Sequence, residues 1–272
     1  MKKNKVVCIG EALIDRIRNK SNHGFTDFLG GAPANVACAL RKLNIDSIFI
    51  GSLGNDDFGK KFIAQFKALE VNLDFLQLGN DSSTRVVNVD RDQFGDRFFS
   101  GFEAKSHTYF ADEALSKYLI ENQLTNLEQL FLETKYLVTG TILLASPMSA
   151  ETIFFLLEMA KKFEVKIIID LNWREVFWDY SNFSSEISKT ARVNLIKNFL
   201  NHAHVLKLAK EEATLFFEHE DPLIISQQMS NGPDVIITDG ENPVKWYING
   251  LQGITETPNS QKIVDTTGAG DA

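Results

Sequence analysis

The sequence predicts an α/β protein in which a mostly parallel sheet is flanked by helices in three layers, with a small β-sheet standing beside it. Short apolar runs alternate with longer segments of helical period along the 272 residues. Some of those runs, such as Val165-Lys166-Ile167-Ile168-Ile169, are apolar on both faces, as strands between two helix layers must be. Residues 84–102 break the alternation and read as two strands joined by a turn at 92–96. With 44% hydrophobic residues the chain can fill one large core.

In chain order, strands are expected at 6–9, 47–50, 136–139, 165–169, 205–208 and 235–238, and helices at 33–43, 57–69, 149–163, 190–201 and 222–230. Pro33, just after Gly30-Gly31, suits the first turn of a helix. Residues 11–29 follow the first strand without helical period and, with 84–110, are assigned to a lid over the sheet edge. The whole chain, 1–272, is expected to be one domain. In sheets of this kind ligands sit beyond the carboxyl ends of the strands, so the residues just after each strand are where chemistry is sought.

Composition narrows the function. Lys and Arg number 28 against 36 Asp and Glu, a net charge of −8, which argues against nucleic acid or an anionic membrane as the main partner. Cys8 and Cys38 form neither a disulfide framework nor a zinc pattern. The apolar stretch 6–9 is shorter than a signal-peptide core or a membrane span, and a cytoplasmic chain is expected. His202 and His204 lack acidic or Cys companions at ligand spacing and read as strand-flanking residues. No GxxxxGK[ST] loop is present.

Two glycine-bearing segments can hold a ligand. In Asp265-Thr266-Thr267-Gly268-Ala269-Gly270-Asp271 the Gly-Ala-Gly turn leaves backbone N–H groups open to an anion, and Asp271 beside it is placed to take a proton from an attacking hydroxyl. An ordinary Asp-capped glycine turn is the bland alternative. In Gly30-Gly31-Ala32-Pro33-Ala34-Asn35 a helix N-terminus would face a cleft, and the Asn35 amide offers the mixed donor and acceptor that a polyol needs. Asp15, in a mostly apolar run after the first strand, is a candidate acceptor for sugar hydroxyls, with a solvated turn residue as the alternative. Asn172 and Arg174 follow the strand at 165–169 and should face the same cleft, where an arginine could pair with a carboxylate or hold a hydroxyl.

These blocks, with GSLGNDDFG at 51–59 and DLNWREVFW at 170–178, stand in the order and spacing of the ribokinase/PfkB carbohydrate kinases, which the chain resembles over its length; the fructokinases are the most similar branch. The resemblance implies a ribokinase-like fold and ATP-dependent phosphorylation of a sugar hydroxyl, fructose to fructose 6-phosphate. It implies Asp271 as catalytic base and Gly268, Ala269 and Gly270 as the anion hole for the γ-phosphate. It places sugar hydroxyls on Asp15, Gly30, Gly31, Asn35 and Arg174, and the nucleotide beside Lys207, Glu212, Thr238 and Gly240. Glu212 would organise Mg²⁺ through water, and Asp265 and the Thr267 carbonyl would belong to a K⁺ site. Related kinases pair their lids in a homodimer, which the resemblance extends to this chain.

Three departures accompany it. Ala209 stands where Asn or Ser is usual, and Ser100-Gly101 replaces the basic or aromatic end of a lid strand. The sequence ends at Ala272, where the family continues into helices that complete the adenine pocket. As given, the chain is expected to lack those C-terminal helices and to bind ATP weakly. The alternatives are a 2-keto-3-deoxygluconate kinase, because the DLNWR motif is similar in both branches, and a catalytically silent interaction protein on the same fold.

Overall fold

The computed structural model describes residues 3–18, 24–91, 97–103, 109–179 and 188–257. From β1 (Lys5–Ile9) the chain leaves as β2 (Leu13–Arg18) and β3 (Phe25–Gly30), then returns through α1 (Ala32–Lys42) to β4 (Ser47–Gly54). Next come α2 (Asp57–Ala68), β5 (Leu76–Gly79), β6 (Ser82–Ser83), β7 (Val86–Arg91), β8 (Arg97–Phe102) and β9 (Tyr109–Phe110). A 3-10 turn at Asp112–Ala114 leads into α3 (Lys117–Glu121) and α4 (Leu124–Glu133). The second half alternates regularly: β10 (Thr134–Thr139), α5 (Pro147–Lys162), β11 (Lys166–Asp170), α6 (Glu175–Asp179), α7 (Lys189–Leu200), β12 (Val205–Ala209), α8 (Lys210–Phe217), α9 (Pro222–Gln228) and β13 (Asp234–Asp239). The hairpin β14 (Asn242–Ile248) and β15 (Leu251–Thr255) follows.

The main sheet has the order β15-β14-β13-β12-β11-β10-β1-β4-β5. It is parallel from β13 to β5 and antiparallel only at the β13-β14-β15 edge. Strand alternation divides its side chains between two layers: Val7, Ile9, Ile48, Ile50 and Leu137 face one core, while Val6, Cys8 and Phe49 face the other. Burying each large side chain is worth about 1.5–3 kcal/mol, and this double layer is the source of the sheet's stability.

Helix starts follow local chemistry. Asp56 caps α2 by accepting from the Gly59 N–H at 2.8 Å, and Asp221 caps α9, accepting from the Leu223 N–H at 2.9 Å with Pro222 in the first turn. The turn of the last hairpin is Asn249-Gly250, both at positive φ (52° and 79°), the geometry that matches strand twist.

A second sheet, in the order β3-β2-β7-β8, stands apart from the first. The two strands expected within 84–102 are β7 and β8, an antiparallel pair; residues 92–96 between them lie outside the described residues. Residues 11–29, read without helix, supply β2 and most of β3. Among the described residues no helix is long and apolar enough to cross a membrane. Both cysteines are free and buried, and burial pushes the Cys8 thiol far up. His204 flanks its strand as expected, its Nδ1 accepting the Ile167 N–H at 3.1 Å.

Candidate active site

The chain passes between the two sheets at Gly10–Ala12 and again at Gly30-Gly31, and these crossings make the first half of the site. Gly31 has φ 100°, and a Cβ there would meet the Glu11 carbonyl oxygen at 2.5 Å, so only glycine fits. The turn lets α1 begin at Ala32 with no side-chain cap from Gly31 itself. The buried Glu11 supplies the missing acceptor: its Oε1 takes the Ala32 N–H at 3.1 Å. One turn in, the Asn35 N–H donates to the Gly31 carbonyl at 2.9 Å, which fixes where its half-buried side chain starts. Asp15, on β2, lies with its carboxylate against Gly30. Asp15, Gly30, Gly31 and Asn35 are therefore brought together around one turn, with Glu11 beneath it.

The second half stands at the carboxyl ends of β11, β12 and β13. Lys207 Nζ and Asp170 Oδ2 are 2.7 Å apart across neighbouring strands. Asn172 takes φ 41°, a left-handed conformation that asparagine tolerates, and turns the chain out of β11. Glu212 ties this turn to β12: its Oε1 accepts the Trp173 N–H at 2.6 Å and its Oε2 the Ala209 N–H at 2.8 Å. Burial raises the Glu212 carboxyl above the ordinary glutamate range; the two backbone N–H groups and Arg174 oppose this, while Asp170 adds to it. Arg174 is half-buried and donates from Nη1 to the Trp173 carbonyl at 2.9 Å.

Thr238 lies beside Ala209 in register, its hydroxyl donating to the Leu208 carbonyl at 3.3 Å. Gly240 has φ 56° and open space where a Cβ would be. Lys210, the first residue of α8, pairs with Asp239 at 3.1 Å; the pair raises the lysine and lowers the aspartate, each chiefly through that hydrogen bond.

Lys207, Glu212, Thr238 and Gly240 thus share one end of three adjacent strands, with Arg174 joined to them through Trp173 and Glu212. Asp265, Thr267, Gly268, Ala269, Gly270 and Asp271 lie outside the described residues. Sequence reasoning missed Glu11, Asp170, Lys210 and Asp239. An acidic residue directly after an expected parallel strand is the signal that could have found Asp170 and Asp239, since that is where such sheets expose ligand-facing groups.

Among the described residues no three His, Cys, Asp or Glu side chains gather closely enough to form a protein cage for a metal. Asp170 ends β11 and Glu212 lies in the first turn of α8, both hard oxygen donors already engaged by Lys207 and by two backbone N–H groups, which fits contact through water with Mg²⁺ carried in on substrate phosphates.

This chain is 29% identical over 277 residues to a protein named probable fructokinase-5 of Arabidopsis thaliana, covering 98% of this chain and 79% of that one. It is 27% identical over 281 residues to an ATP-dependent 6-phosphofructokinase of Thermoanaerobacterium thermosaccharolyticum, covering 100% and 79%. A crystal structure of a fructokinase from Vibrio cholerae, in a form with fructose, ADP and calcium ion bound, superposes with a TM-score of 0.79 at 26% identity over 99% of this chain and 81% of that one. The model of the pfkB family carbohydrate kinases matches residues 3–272, and with the ribokinase-like arrangement of a large, mostly parallel sheet beside a small separate one, the chain belongs to that family of ATP-using sugar phosphotransferases.

Proposed function

We propose that this protein phosphorylates fructose to fructose 6-phosphate with Mg-ATP. The observation that carries the reading is the sugar-side turn: Asp15 and the buried Glu11 lie against Gly30-Gly31, and Asn35 starts one turn into α1 from it, a set rich in acceptors for hydroxyl donors. Glu11 already takes the first N–H of α1, and two carboxylates together oppose a substrate anion. That favours a neutral ketose over 2-keto-3-deoxygluconate. The fructokinases among the relatives support the same substrate.

In this reading Gly30, Gly31, Asn35, Asp15 and Arg174 orient the sugar. Lys207, Thr238 and Gly240 line the nucleotide's phosphates, the open space at Gly240 admitting a phosphate or ribose edge. Mg²⁺, held through water by Glu212, would neutralise charge on the transferring phosphates. Asp271 takes the proton of the attacking hydroxyl, the N–H groups of Gly268, Ala269 and Gly270 stabilise charge on the moving phosphoryl group, and Asp265 with the Thr267 carbonyl holds K⁺ nearby. No covalent enzyme intermediate is needed, and the acceleration comes from positioning and electrostatics. The exposed Phe25 and Phe28 on the edge strand β3 support pairing of two copies through the small sheet.

The test is ADP release by the purified chain with Mg-ATP and each sugar in turn. Fructose should give ADP well above the sugar-free rate and Asp271→Asn should abolish it; release with 2-keto-3-deoxygluconate but not fructose would overturn the assignment.

A further inference from the structure

Arg85 is a charged residue where none is needed for solubility: it is 3% exposed, at the point where the chain enters the small sheet as β7. Its Nε reaches Asp112 Oδ2 at 2.9 Å and its Nη2 reaches Glu113 Oε1 at 3.3 Å. Both carboxylates are themselves buried, and Glu113 Oε2 also accepts the Phe110 N–H at 3.0 Å. Three rings close around the guanidinium, with its carbon 4.2 Å from the centroid of Phe110, 4.7 Å from Phe102 and 4.9 Å from Phe177.

Those partners come from different parts of the molecule. Phe102 ends β8 of the small sheet, Asp112 and Glu113 belong to the 3-10 turn against the main body, and Phe177 lies in α6. Phe102 and Phe177 also touch edge to face, centroids 5.0 Å apart. On the backbone side the Arg85 carbonyl accepts the Ile14 N–H at 2.8 Å, one residue before Asp15. On the other side the Phe177 N–H donates to the Arg174 carbonyl at 3.1 Å. The residue before Arg85 is fixed as firmly, since Asp56 accepts from both the N–H and the hydroxyl of Thr84, at 2.7 and 2.9 Å.

We propose that Arg85 is a positioning residue for the sugar, setting through its planar fork and the Phe102–Phe177 contact the placement of Asp15 on the small sheet relative to the Asn172–Arg174 turn on the main one. It touches no substrate. The proposal rests on the fructose kinase reading and deepens it. A guanidinium suits the task because it pairs with carboxylates in its plane while stacking rings on its faces, which an ammonium cannot do.

Steady-state kinetics with fructose and Mg-ATP, fructose titration calorimetry and thermal unfolding would be run on the full chain and on Arg85→Lys, Phe177→Leu and Phe177→Tyr. Phe177→Leu leaves the ion cluster whole, so it reports even if Arg85→Lys does not fold. Arg85→Lys and Phe177→Leu should raise the fructose KM and calorimetric Kd about tenfold or more, as misplaced contacts do, with the ATP KM nearly unchanged. Phe177→Tyr should stay close to the parent chain. Folded variants whose fructose KM matches an active parent, or in which both KM values rise together, overturn the inference alone. A parent chain that neither binds nor phosphorylates fructose overturns the functional reading and this inference with it.

Discussion

The two sheets are held together by different forces. At the centre of the main sheet Val7, Cys8, Ile9, Phe49 and Ile50 are all fully buried, and β1 and β4 are covered on both faces. In the small sheet the inner strands β2 and β7 bury Ile14, Ile17, Val86 and Val87, but the edge strand β3 exposes its first four residues and the outer face carries polar contacts across strands: Arg16 grips Asp27 through Nε at 2.6 Å and Nη2 at 2.7 Å and also reaches Glu103, while Arg18 pairs with Asp90 at 3.0 Å. Phe25 stacks beside both arginines. Hydrophobic burial is strong and is not weakened by ionic screening, whereas exposed ion pairs are weak and screened. The centre of the main sheet is therefore a fixed platform, and the exposed edge of the small sheet is the part whose stability solution conditions can tune.

The sharpest way to break this contrast is at Phe49, whose ring packs 5.0 Å from that of Phe66. Phe49→Ala should cost about 3–5 kcal/mol in urea unfolding, while Phe25→Ala on the small sheet should cost about 0.5 kcal/mol or less. Equal costs would erase the distinction.

A smaller effect is expected at Glu212, on the rim of the platform. Gln keeps one acceptor and turns its NH₂ toward a backbone N–H, so Glu212→Gln should destabilise by about 1–3 kcal/mol. Because burial raises the Glu212 carboxyl, its protonated form is favoured by folding. The stability this lends is fully present below the ordinary glutamate pKa and is lost as pH rises through the raised value. The gap between the parent chain and Glu212→Gln should therefore narrow as urea melts move from about pH 4 to about pH 7. A widening gap would reverse the assignment.

The smallest effect belongs to the small sheet. The hydrogen bond from Arg16 holds the Asp27 carboxyl below the usual range, so its contribution is present above the ordinary aspartate pKa and lost as pH falls through the lowered value. Arg16→Met should cost about 1 kcal/mol or less and should shrink further in high salt, read by hydrogen exchange of the β2 and β3 amides. A salt-independent loss would mean that packing, not charge, holds this sheet.

The same contrast explains what the sequence reveals. All six strands expected in the parallel sheet are present as β1, β4, β10, β11, β12 and β13, because strands buried on both faces leave uninterrupted apolar runs. The helices α1, α2, α5, α7 and α9 lie within two residues of their expected bounds. Helix α4 escaped notice because Gln123 gives it no side-chain cap, although Leu127, Leu130 and Phe131 form its buried stripe. Helix α8 has Ala209 as its N-cap, with Glu212 three residues on taking the Ala209 N–H, so the usual cap signal is displaced. The β14–β15 hairpin had its Asn249-Gly250 signal, but its half-exposed strands carry no apolar run. Glycine spacing singled out Gly30, Gly31 and Asn35, which the structure brings to one turn. Glu11 and Lys210 were not singled out, because each acts through a partner distant in sequence, respectively Ala32 and Asp239.

The junction at Gly10 and Gly31 has a further consequence. Gly10 presses on the Pro33 ring and Gly31 on the Glu11 carbonyl, so the passage from one sheet to the other is shaped by main chain and a rigid imino ring. Neither glycine has a side chain to ionise, oxidise or be screened by salt. Brine that loosens the edge of the outer sheet should leave this pivot, and the angle at which α1 presents Asn35, unaltered.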